Sequence, residues 1–324
     1  MNLSGSRVLV TGGAGFIGSH LTEALLETGA YVTVYDRFDG FYKGKESNLV
    51  TASESPGFTL IEGDILDLDG LDSAMKDADV VFHEAGQAGV GFSIANPRAA
   101  NDVNVEGTLN VLWLAKKNGV KRLVNASSSS IFGKPDYLPM DESHPARPTS
   151  PYAVSKLAAE HYVRVFHKIY GMSTVSLRYF SVYGPRGRPD QVVHRFTESL
   201  AQGRPPLING DGSHTRDFTH VSDVVAATTM AAEREDIGGE AFNIGFGERT
   251  SISELAEKLI VLMGKGKVKP AYAEEQKGEF PDTQADNAKA RKVLGWRPKV
   301  SLDEGLKSYV EWYNSSRKAA EGAG

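Results

Sequence analysis

Six short runs of β-branched and aromatic residues recur along the first half of the chain, and a stretch of helical periodicity follows each of them. The runs read RVLVTG, YVTVYD, FTLIEGD, DVVFHEA, RLVNASS and STVSLRYF. Strands that alternate with helices at this spacing are typical of βαβ units, whose strands lie parallel in one sheet. The sequence therefore predicts an α/β fold built on a doubly wound parallel sheet.

A glycine-rich turn follows the first run. Gly12, Gly15 and Gly18 stand directly after the strand and open the next helix. Glycines at these places permit a tight turn and let backbone N–H groups approach a pyrophosphate at the positive end of the helix. The second strand ends at Asp36, whose carboxylate can accept from an adenosine ribose hydroxyl. This context predicts a Rossmann-type dinucleotide site rather than a ligand-free βα turn. Asp36 favours NAD over NADP, and the adjacent Arg37 weakens that preference.

Beyond Gly184 the chain becomes rich in glycine, proline and arginine, as in YGPRGRPDQ and QGRPPLINGDGSHTRDF. Helical periodicity is present over residues 192–201, 222–235, 252–264 and 302–319. We predict an NAD-binding Rossmann domain over residues 1–180 and a smaller, mainly substrate-binding lobe over residues 181–324. Segments near residues 221–245 are candidates for a return to the first domain.

Composition excludes several classes of function. The 324-residue chain has a formal net charge of −5 and no Lys/Arg-rich run, which argues against a nucleic-acid partner. It has no cysteine, so disulfides, zinc–thiolate sites and thiol nucleophiles are excluded, and its eight histidines show no metal-ligand spacing. No apolar run approaches the roughly 20 residues that span a bilayer, and the first residues lack a signal-peptide core. We expect a cytoplasmic protein with no metal and no membrane partner.

The segment SPYAVSK, residues 150–156, places a tyrosine and a lysine on one helix face. Ser150 is a natural N-cap and Pro151 a natural first helical residue, so Tyr152 and Lys156 become helix neighbours. A tyrosine with its usual pKa of about 10 is seldom a base at neutral pH. A nearby ammonium and the positive ring of NAD⁺ both favour the phenolate. In isolation such a pair is typical of an exposed helix surface, but after a dinucleotide-binding half it predicts an acid/base device.

The spacing G-x-x-G-x-x-G resembles the extended short-chain dehydrogenase/reductase family, and other motifs of that family recur at the expected places. GDI at residues 63–65 resembles the strand end that contacts adenine, and HEAGQAGV at residues 83–90 resembles the H-x-A-A motif, with Glu84 and Gly86 as departures. Asn104 in NVEGT matches a structural or cofactor-contacting asparagine. The alternative is that these motifs serve packing alone. The resemblance implies cofactor contacts from Gly12, Gly15, Phe16, Ile17, Gly18, Asp36, Asp64, Ile65, Ala85, Gln87, Asn104, Tyr152 and Lys156.

A run of four serines follows the fifth predicted strand, in NASSSSIFG. The family pattern S-S-S-x-x-Y-G, matched here four residues before Phe132, implies that Ser128 is the catalytic serine beside Tyr152 and Lys156. Its hydroxyl can bond the same substrate oxygen as Tyr152 and stabilise developing charge. Family members that dehydrate or decarboxylate a nucleotide sugar carry acidic residues where this chain has Ser129 and Ser130, so both of those reactions lose support.

The second half resembles the nucleotide-sugar epimerases of this family. LRYFSVYGPRGRPD, GDGSHTRDFTHVSDVV, FNIG and KARKVLGWRP match their segments. The resemblance implies that Arg216 clamps the diphosphate, because a guanidinium fork fits phosphate oxygens. Arg188 is a second candidate anion ligand, and a solvated loop arginine is an equal alternative. Substrate contacts are implied for Ser128, Ser129, Ser130, Ser181, Arg188, Arg216, Asp282 and Thr283.

The implied reaction is a UDP-sugar 4-epimerisation. Tyr152 removes the proton of the sugar 4-hydroxyl while C4 passes hydride to NAD⁺, and hydride then returns to the opposite face of the 4-keto sugar. Ser181 and the following GRPD resemble UDP-glucuronate epimerases, whereas Thr283 replaces a bulkier tyrosine of glucose-restricted members and leaves room for an N-acetyl group. UDP-glucuronate, UDP-glucose/UDP-galactose and N-acetylated sugars therefore stay open.

Two other function classes remain as alternatives: a reductase with net NAD(P)H turnover, and a non-catalytic nucleotide sensor. The intact Ser128, Tyr152 and Lys156 argue against the sensor. Family resemblance also implies a homodimer through a four-helix contact, for which the helices around residues 98–117 and 152–170 are candidates.

Overall fold

A seven-stranded parallel sheet forms the centre of the molecule in a computed structural model that describes residues 1–38, 44–274 and 282–322. Its strands are β1 Arg7–Thr11, β2 Tyr31–Asp36, β3 Phe58–Glu62, β4 Val80–His83, β5 Arg122–Ser128, β6 Thr174–Tyr179 and β11 Glu240–Ile244. The strand order is β11-β6-β5-β4-β1-β2-β3, and every neighbouring pair is parallel. The order reverses direction beside β1, so the predicted doubly wound sheet is confirmed.

Eleven α-helices lie within the described residues. They are α1 Phe16–Glu27, α2 Val50–Ser53, α3 Leu68–Met75, α4 Val90–Ala95, α5 Pro97–Asn101, α6 Gly107–Lys117, α7 Pro151–Tyr170, α8 Val192–Ala201, α9 Val221–Glu233, α10 Ile252–Leu262 and α11 Leu302–Gly322. The four helices predicted after Gly184 are present, with slightly different ends. None of the helices in the described part of the chain has the length and apolar character needed to cross a membrane.

Alternate residues of the strands face opposite layers of helices, as the period of two requires. In β1, Val8 and Val10 pack in a core with helices α1 and α9, whereas Leu9 packs in a second core with α3, α6 and α7. Both faces of the sheet are therefore covered, which explains why its strands read as nearly continuous apolar runs.

The smaller lobe has its own apolar core. Tyr183, Phe196 of α8, Leu259 of α10 and Tyr309 of α11 are fully buried members of that core. Short strand pairs complete the lobe: β7 Ser181–Tyr183 with β10 Phe218–His220, β8 Leu207–Asn209 with β13 Ala271–Ala273, and β9 Thr215–Arg216 with β12 Thr250–Ser251.

The chain returns to the large sheet after it has entered this lobe. Helix α9 packs against α1, and β11 adds to β6 with Phe242 opposite Leu177. The seventh strand thus comes from beyond residue 180. The predicted bounds of the two domains stay a prediction.

Candidate active site

The turn between β1 and α1 approaches neighbouring backbone too closely for any side chain. Gly12 has φ of +71°, and a Cβ atom built on it would lie 2.6 Å from the backbone nitrogen of Ala85. A Cβ atom on Gly18 would lie 2.2 Å from the carbonyl oxygen of Gly12. Helix α1 begins at Phe16, and its N-cap is Gly15, so its first amides are not covered by a capping side chain. This is a cradle of the kind that accepts a phosphate.

A cavity at the carboxyl ends of β1, β2 and β4 begins at this turn. It contains ten of the residues predicted to contact the cofactor, namely Gly12, Gly15, Phe16, Ile17, Gly18, Asp36, Asp64, Ile65, Ala85 and Gln87. Ligands of open α/β sheets bind at this edge, where the strand order reverses. The backbone cradle and the acidic end of β2 fit a dinucleotide.

Two basic side chains, one of which the sequence analysis missed, stand at the ribose end of that cavity. The Asp36 carboxylate accepts from the backbone N–H groups of Ala14 and Phe38, both at 3.1 Å, and its Oδ1 lies 3.4 Å from Nζ of Lys45. Arg37 donates to Asp64 at 3.1 Å. Lys45 is nine residues from Asp36, and no local sequence pattern predicts this ion pair.

Asn104 supports the cofactor cavity from behind. It lies in a π-helical turn over residues 102–106 and is 1% exposed. Its amide donates to the carbonyl oxygen of Gln87 at 3.0 Å and to Oγ of Ser155 at 2.9 Å, and its Oδ1 accepts from the Gln87 N–H at 2.7 Å. With its amide engaged in this way, Asn104 positions the loop after β4; the structure does not place it among the residues that line the cavity.

Helix α7 carries the predicted acid/base pair as expected. The Ser150 hydroxyl accepts from the Ala153 N–H at 3.2 Å, Pro151 occupies the first turn, and the helix ends at Gly171 in the left-handed region. Tyr152 and Lys156 line one cavity of about 200 Å³ together with Ser128. Elements distant in sequence thus bring the three predicted catalytic residues together.

The protein groups do not make Tyr152 acidic in the way the sequence analysis expected. Burial raises the pKa of Tyr152, and the Ser128 hydroxyl and the charge of Arg188 only partly oppose this shift. The pKa of Lys156 is lowered to about 8 by burial, and Glu84 and Glu160 counteract that shift.

The four serines have separate surroundings. Ser127 donates to Glu160 at 2.6 Å, and Glu160 is also ion-paired with Arg178. Ser130 is 7% exposed and bonds the Ser128 hydroxyl at 2.7 Å, while Ser129 is 8% exposed. Ser129 and Ser130 were expected to contact substrate, but the 3-10 turn over residues 129–132 directs the chain into the interior directly after Ser128. Only Ser127 and Ser128 of the run line the catalytic cavity.

A larger cleft of about 580 Å³ extends from Tyr152 into the smaller lobe. Ser181 at the start of β7, Arg188 and Arg216 of β9 all line it, and their contact with substrate stays a prediction. Arg188 also lines the cofactor cavity and the catalytic cavity. Its guanidinium is fixed by two bonds to Asp190, at 2.9 and 3.0 Å. A cation therefore stands where the three cavities meet.

Asp282 and Thr283 are not among the described residues that line this cleft, and each is bonded to other protein groups. Thr283 is 2% exposed, and its hydroxyl accepts from the Asp217 N–H at 3.1 Å. Asp282 accepts from the Thr215 hydroxyl at 2.5 Å. Both residues tie the 282–285 segment to β9, because a bridge pairs Thr215 with Asp282. Thr283 thus carries no argument about the size of the sugar.

Comparison with known proteins is consistent with this geometry. The family profile described as GDP-mannose 4,6 dehydratase matches residues 9–309. A putative UDP-glucose 4-epimerase of Methanocaldococcus jannaschii is 37% identical over 318 residues, which cover 96% of this chain and 99% of that protein. The chain belongs to this family of short-chain dehydrogenase/reductase-type epimerases and dehydratases.

Solved structures of the family align over nearly the whole chain. UDP-glucuronic acid 4-epimerase from Bacillus cereus, in complex with UDP-glucuronic acid and NAD, has a TM-score of 0.92 and 36% identity, covering 96% of this chain and 99% of that one. A dTDP-glucose 4,6-dehydratase from Streptomyces venezuelae, with NAD bound, has a TM-score of 0.90 and 33% identity, with 97% and 98% covered. Family membership confirms the predicted fold, and it leaves the choice of reaction to the residues around Tyr152.

Proposed function

We propose that the protein is an NAD-dependent UDP-sugar 4-epimerase. The observation that carries this proposal is that Ser128, Tyr152 and Lys156 line one cavity, which shares Arg188 with both the cofactor cavity and the larger cleft. Bound NAD would supply a reversible hydride acceptor. The relatives named as UDP-glucose and UDP-glucuronate 4-epimerases support the same reaction.

The proton steps belong to Tyr152 and Ser128. Tyr152 accepts the proton of the sugar 4-hydroxyl while the C4 hydrogen leaves as hydride, and Ser128 bonds the same oxygen, which becomes a ketone. Return of hydride to the opposite ring face and of the proton from Tyr152 gives the epimer.

The sugar ring must rotate to present its opposite face while the nucleotide stays bound. Arg216 is on β9, which is paired with β12, so its backbone is fixed in the wall of the cleft that Tyr152 also lines. We propose that Arg216 holds the diphosphate there. The volume of about 580 Å³ leaves space for the pyranose to rotate about that anchor.

Among the candidate sugars we favour the uronate. The Arg188 guanidinium and the Ser181 hydroxyl line the same cleft as Tyr152 and together offer a charge-assisted and a neutral donor for a carboxylate. Asp190 holds Arg188 in a bidentate pair, which orients the guanidinium and screens part of its charge. UDP-glucose lacks the carboxylate that would use this arrangement.

The proposal extends to a homodimer working in the cytoplasm. Large apolar side chains are exposed along α6 and α7, which pack beside each other: Trp113 50%, Val154 53%, Val165 40%, Ile169 65% and Tyr170 44%. Helices with exposed apolar faces of this kind are suited to a four-helix contact with a second copy.

The deciding experiment uses three incubations of the protein with NAD, each with one of UDP-glucuronate, UDP-glucose and UDP-N-acetylglucosamine. Proton NMR resolves the products while absorbance at 340 nm is followed. We expect UDP-glucuronate to be converted to its 4-epimer with no net absorbance change. A product-linked absorbance change would establish a reductase instead. Loss of water or CO₂ from the sugar would establish a dehydratase or decarboxylase, and either result overturns the proposal.

A further inference from the structure

Glu84 is an acidic side chain in the catalytic cavity that the proposed proton steps do not use. It follows β4 directly, and its backbone N–H donates to the Thr11 carbonyl at 3.0 Å, so its position is fixed by the end of the sheet. Its side chain lines both the cofactor cavity and the catalytic cavity. A carboxyl at such a place is costly unless it is hydrogen-bonded and paired with a charge.

The hydrogen bond comes from Tyr179 at the end of β6. Its hydroxyl donates to Oε1 of Glu84 at 2.8 Å and lies 2.8 Å from Oγ1 of Thr228. Thr228 in turn donates to the Val224 carbonyl within α9, also at 2.8 Å. Because the Thr228 proton is used there, its oxygen is free only to accept, and the Tyr179 hydroxyl is shared between two acceptors. This chain of bonds fixes the Glu84 carboxyl from one side.

Lys156 is a cation that lines the same cavity as Glu84. It is 8% exposed, and a Cβ atom built on Gly86, two residues after Glu84, would lie 3.7 Å from Nζ of Lys156. The remaining acidic neighbour of Lys156, Glu160, is already bonded to Arg178 through both carboxylate oxygens and to Ser127. Glu84 is therefore the acidic neighbour of Lys156 that is not neutralised by an arginine. The titratable and charged groups around Glu84 are Lys156 and Tyr152 of α7, Tyr179 of β6, His83 of β4 and Arg188 of the loop after β7.

We infer that Glu84 is a positioning residue whose carboxylate, held by Tyr179, keeps the Lys156 side chain protonated and in place beside Tyr152. The catalytic consequence rests on the proposed function, whereas the electrostatic coupling of Glu84 to Lys156 does not. The pKa values are consistent with it. Burial raises the pKa of Glu84 to about 7, with Tyr179 and Lys156 opposing the shift, and burial lowers the pKa of Lys156 to about 8, with Glu84 opposing that shift.

The sign of the expected effect follows from these directions. Removal of the Glu84 charge takes away a group that raises the pKa of Lys156, so the ammonium is lost at a lower pH. Glu84→Gln keeps an oxygen that accepts from Tyr179 and removes only the charge. We expect the titration midpoint of Lys156 to fall by on the order of one pH unit, and the alkaline limb of the epimerisation rate to move to lower pH with it.

The test titrates protein labelled with ¹³C at the lysine Cε atoms and follows the Lys156 signal by NMR; Lys156→Met identifies that signal by its loss. Glu62→Gln, at an exposed position at the end of β3, is the matched control and should leave the midpoint unchanged. Tyr179→Phe should also lower the Lys156 midpoint. Without the hydrogen bond from Tyr179, Glu84 is protonated more readily and loses the charge that raises the pKa of Lys156.

An unchanged Lys156 midpoint in Glu84→Gln, in a folded protein that still binds NAD, would overturn the inference and reduce Glu84 to a packing residue. A shifted midpoint in a protein that interconverts no UDP-sugar would uphold the coupling and count against the proposed function alone. If the wild type interconverts UDP-sugars but the Lys156 midpoint is the same in Glu84→Gln, the coupling is refuted and the proposed function stands.

Discussion

Asn104 and Gln87 are joined by two hydrogen bonds that together close a ring, one from the Gln87 N–H at 2.7 Å and one to the Gln87 carbonyl at 3.0 Å. The side chain of Asn104 thereby replaces the backbone partner that a strand would give to Gln87. The loop after β4, which lines the cofactor cavity, keeps its shape through this one buried amide.

Asn104→Ala should therefore lower both stability and NAD affinity. It leaves a buried N–H and a buried carbonyl unpaired, which costs about 1–3 kcal/mol of unfolding free energy. Chemical denaturation and calorimetric titration with NAD measure the two effects. Asn101→Ala, on the exposed side of the neighbouring turn, is the control. A variant that loses stability but binds NAD normally would mean that the loop does not depend on Asn104.

Gly18→Ala should disrupt the phosphate cradle. The added methyl group would lie 2.2 Å from the Gly12 carbonyl oxygen and 2.8 Å from Cα of Gly13, so the turn must move. Overpacking of this kind costs about 1–3 kcal/mol, and NAD binding should be lost or strongly weakened. Gly266→Ala meets no atom within 4 Å and should be neutral. Unchanged NAD affinity in Gly18→Ala would remove the turn from the cofactor site.

Tyr152→Phe should lower turnover roughly 10²- to 10⁴-fold, the usual contribution of a positioned acid/base group. NAD affinity should be unchanged, since only a hydroxyl in the catalytic cavity is removed. Tyr162→Phe, on the exposed face of the same helix, controls for the loss of a phenol from α7. Near-normal turnover in Tyr152→Phe would contradict its assignment as the base.

Arg216→Ala should weaken UDP-sugar binding about 10- to 100-fold, as expected for charge-assisted hydrogen bonds of about 1.5–3 kcal/mol, and should spare NAD. Calorimetric titrations with UDP, UDP-glucuronate and NAD separate these effects, and UDP should lose as much affinity as the UDP-sugar if Arg216 binds the diphosphate. Arg204→Ala, at an exposed loop position, is the control. Equal losses for NAD and UDP would indicate a general disturbance of the fold.

Ile169→Glu should dissociate the proposed homodimer. Ile169 is 65% exposed on α7, and a carboxylate there would have to be desolvated in a four-helix contact. Val261→Glu places the same charge on α10 of the other lobe, where Val261 is 74% exposed. This control should leave the protein dimeric. Sedimentation velocity distinguishes the species. A monomeric wild type, or a dimeric Ile169→Glu, would exclude this interface.

The sequence predicted the sheet and the glycine turn, and it singled out the side chains that meet in the catalytic cavity, because each depends on local chemistry: strand periodicity, backbone crowding at Gly12 and Gly18, and the Ser150 cap that sets the phase of α7. The catalytic role of those side chains stays a prediction. It failed where the outcome depends on which way the chain turns after a motif. Ser129 and Ser130 share the motif of Ser128, yet the turn that follows buries them.

Pairs that form across the fold were likewise beyond reach. Thr283 lies in a motif whose neighbours suggested a sugar contact, but the backbone of Asp217 occupies its hydroxyl. Glu84 registered only as a departure from the family motif, because its meaning depends on Tyr179, 95 residues away in the chain, and on Lys156. No local spacing encodes such a relation.

The return of the chain to the sheet through α9 and β11 bears on how family members exchange specificity. An excision at residue 180 would strip β6 of its outer neighbour and leave a row of amides and carbonyls open to self-association. A chimera that borrows both stretches of the smaller lobe from a relative and keeps the returning segment needs three junctions, one near residue 180 and one on each side of α9 and β11. Grafts made in this way keep the framework of the sheet intact.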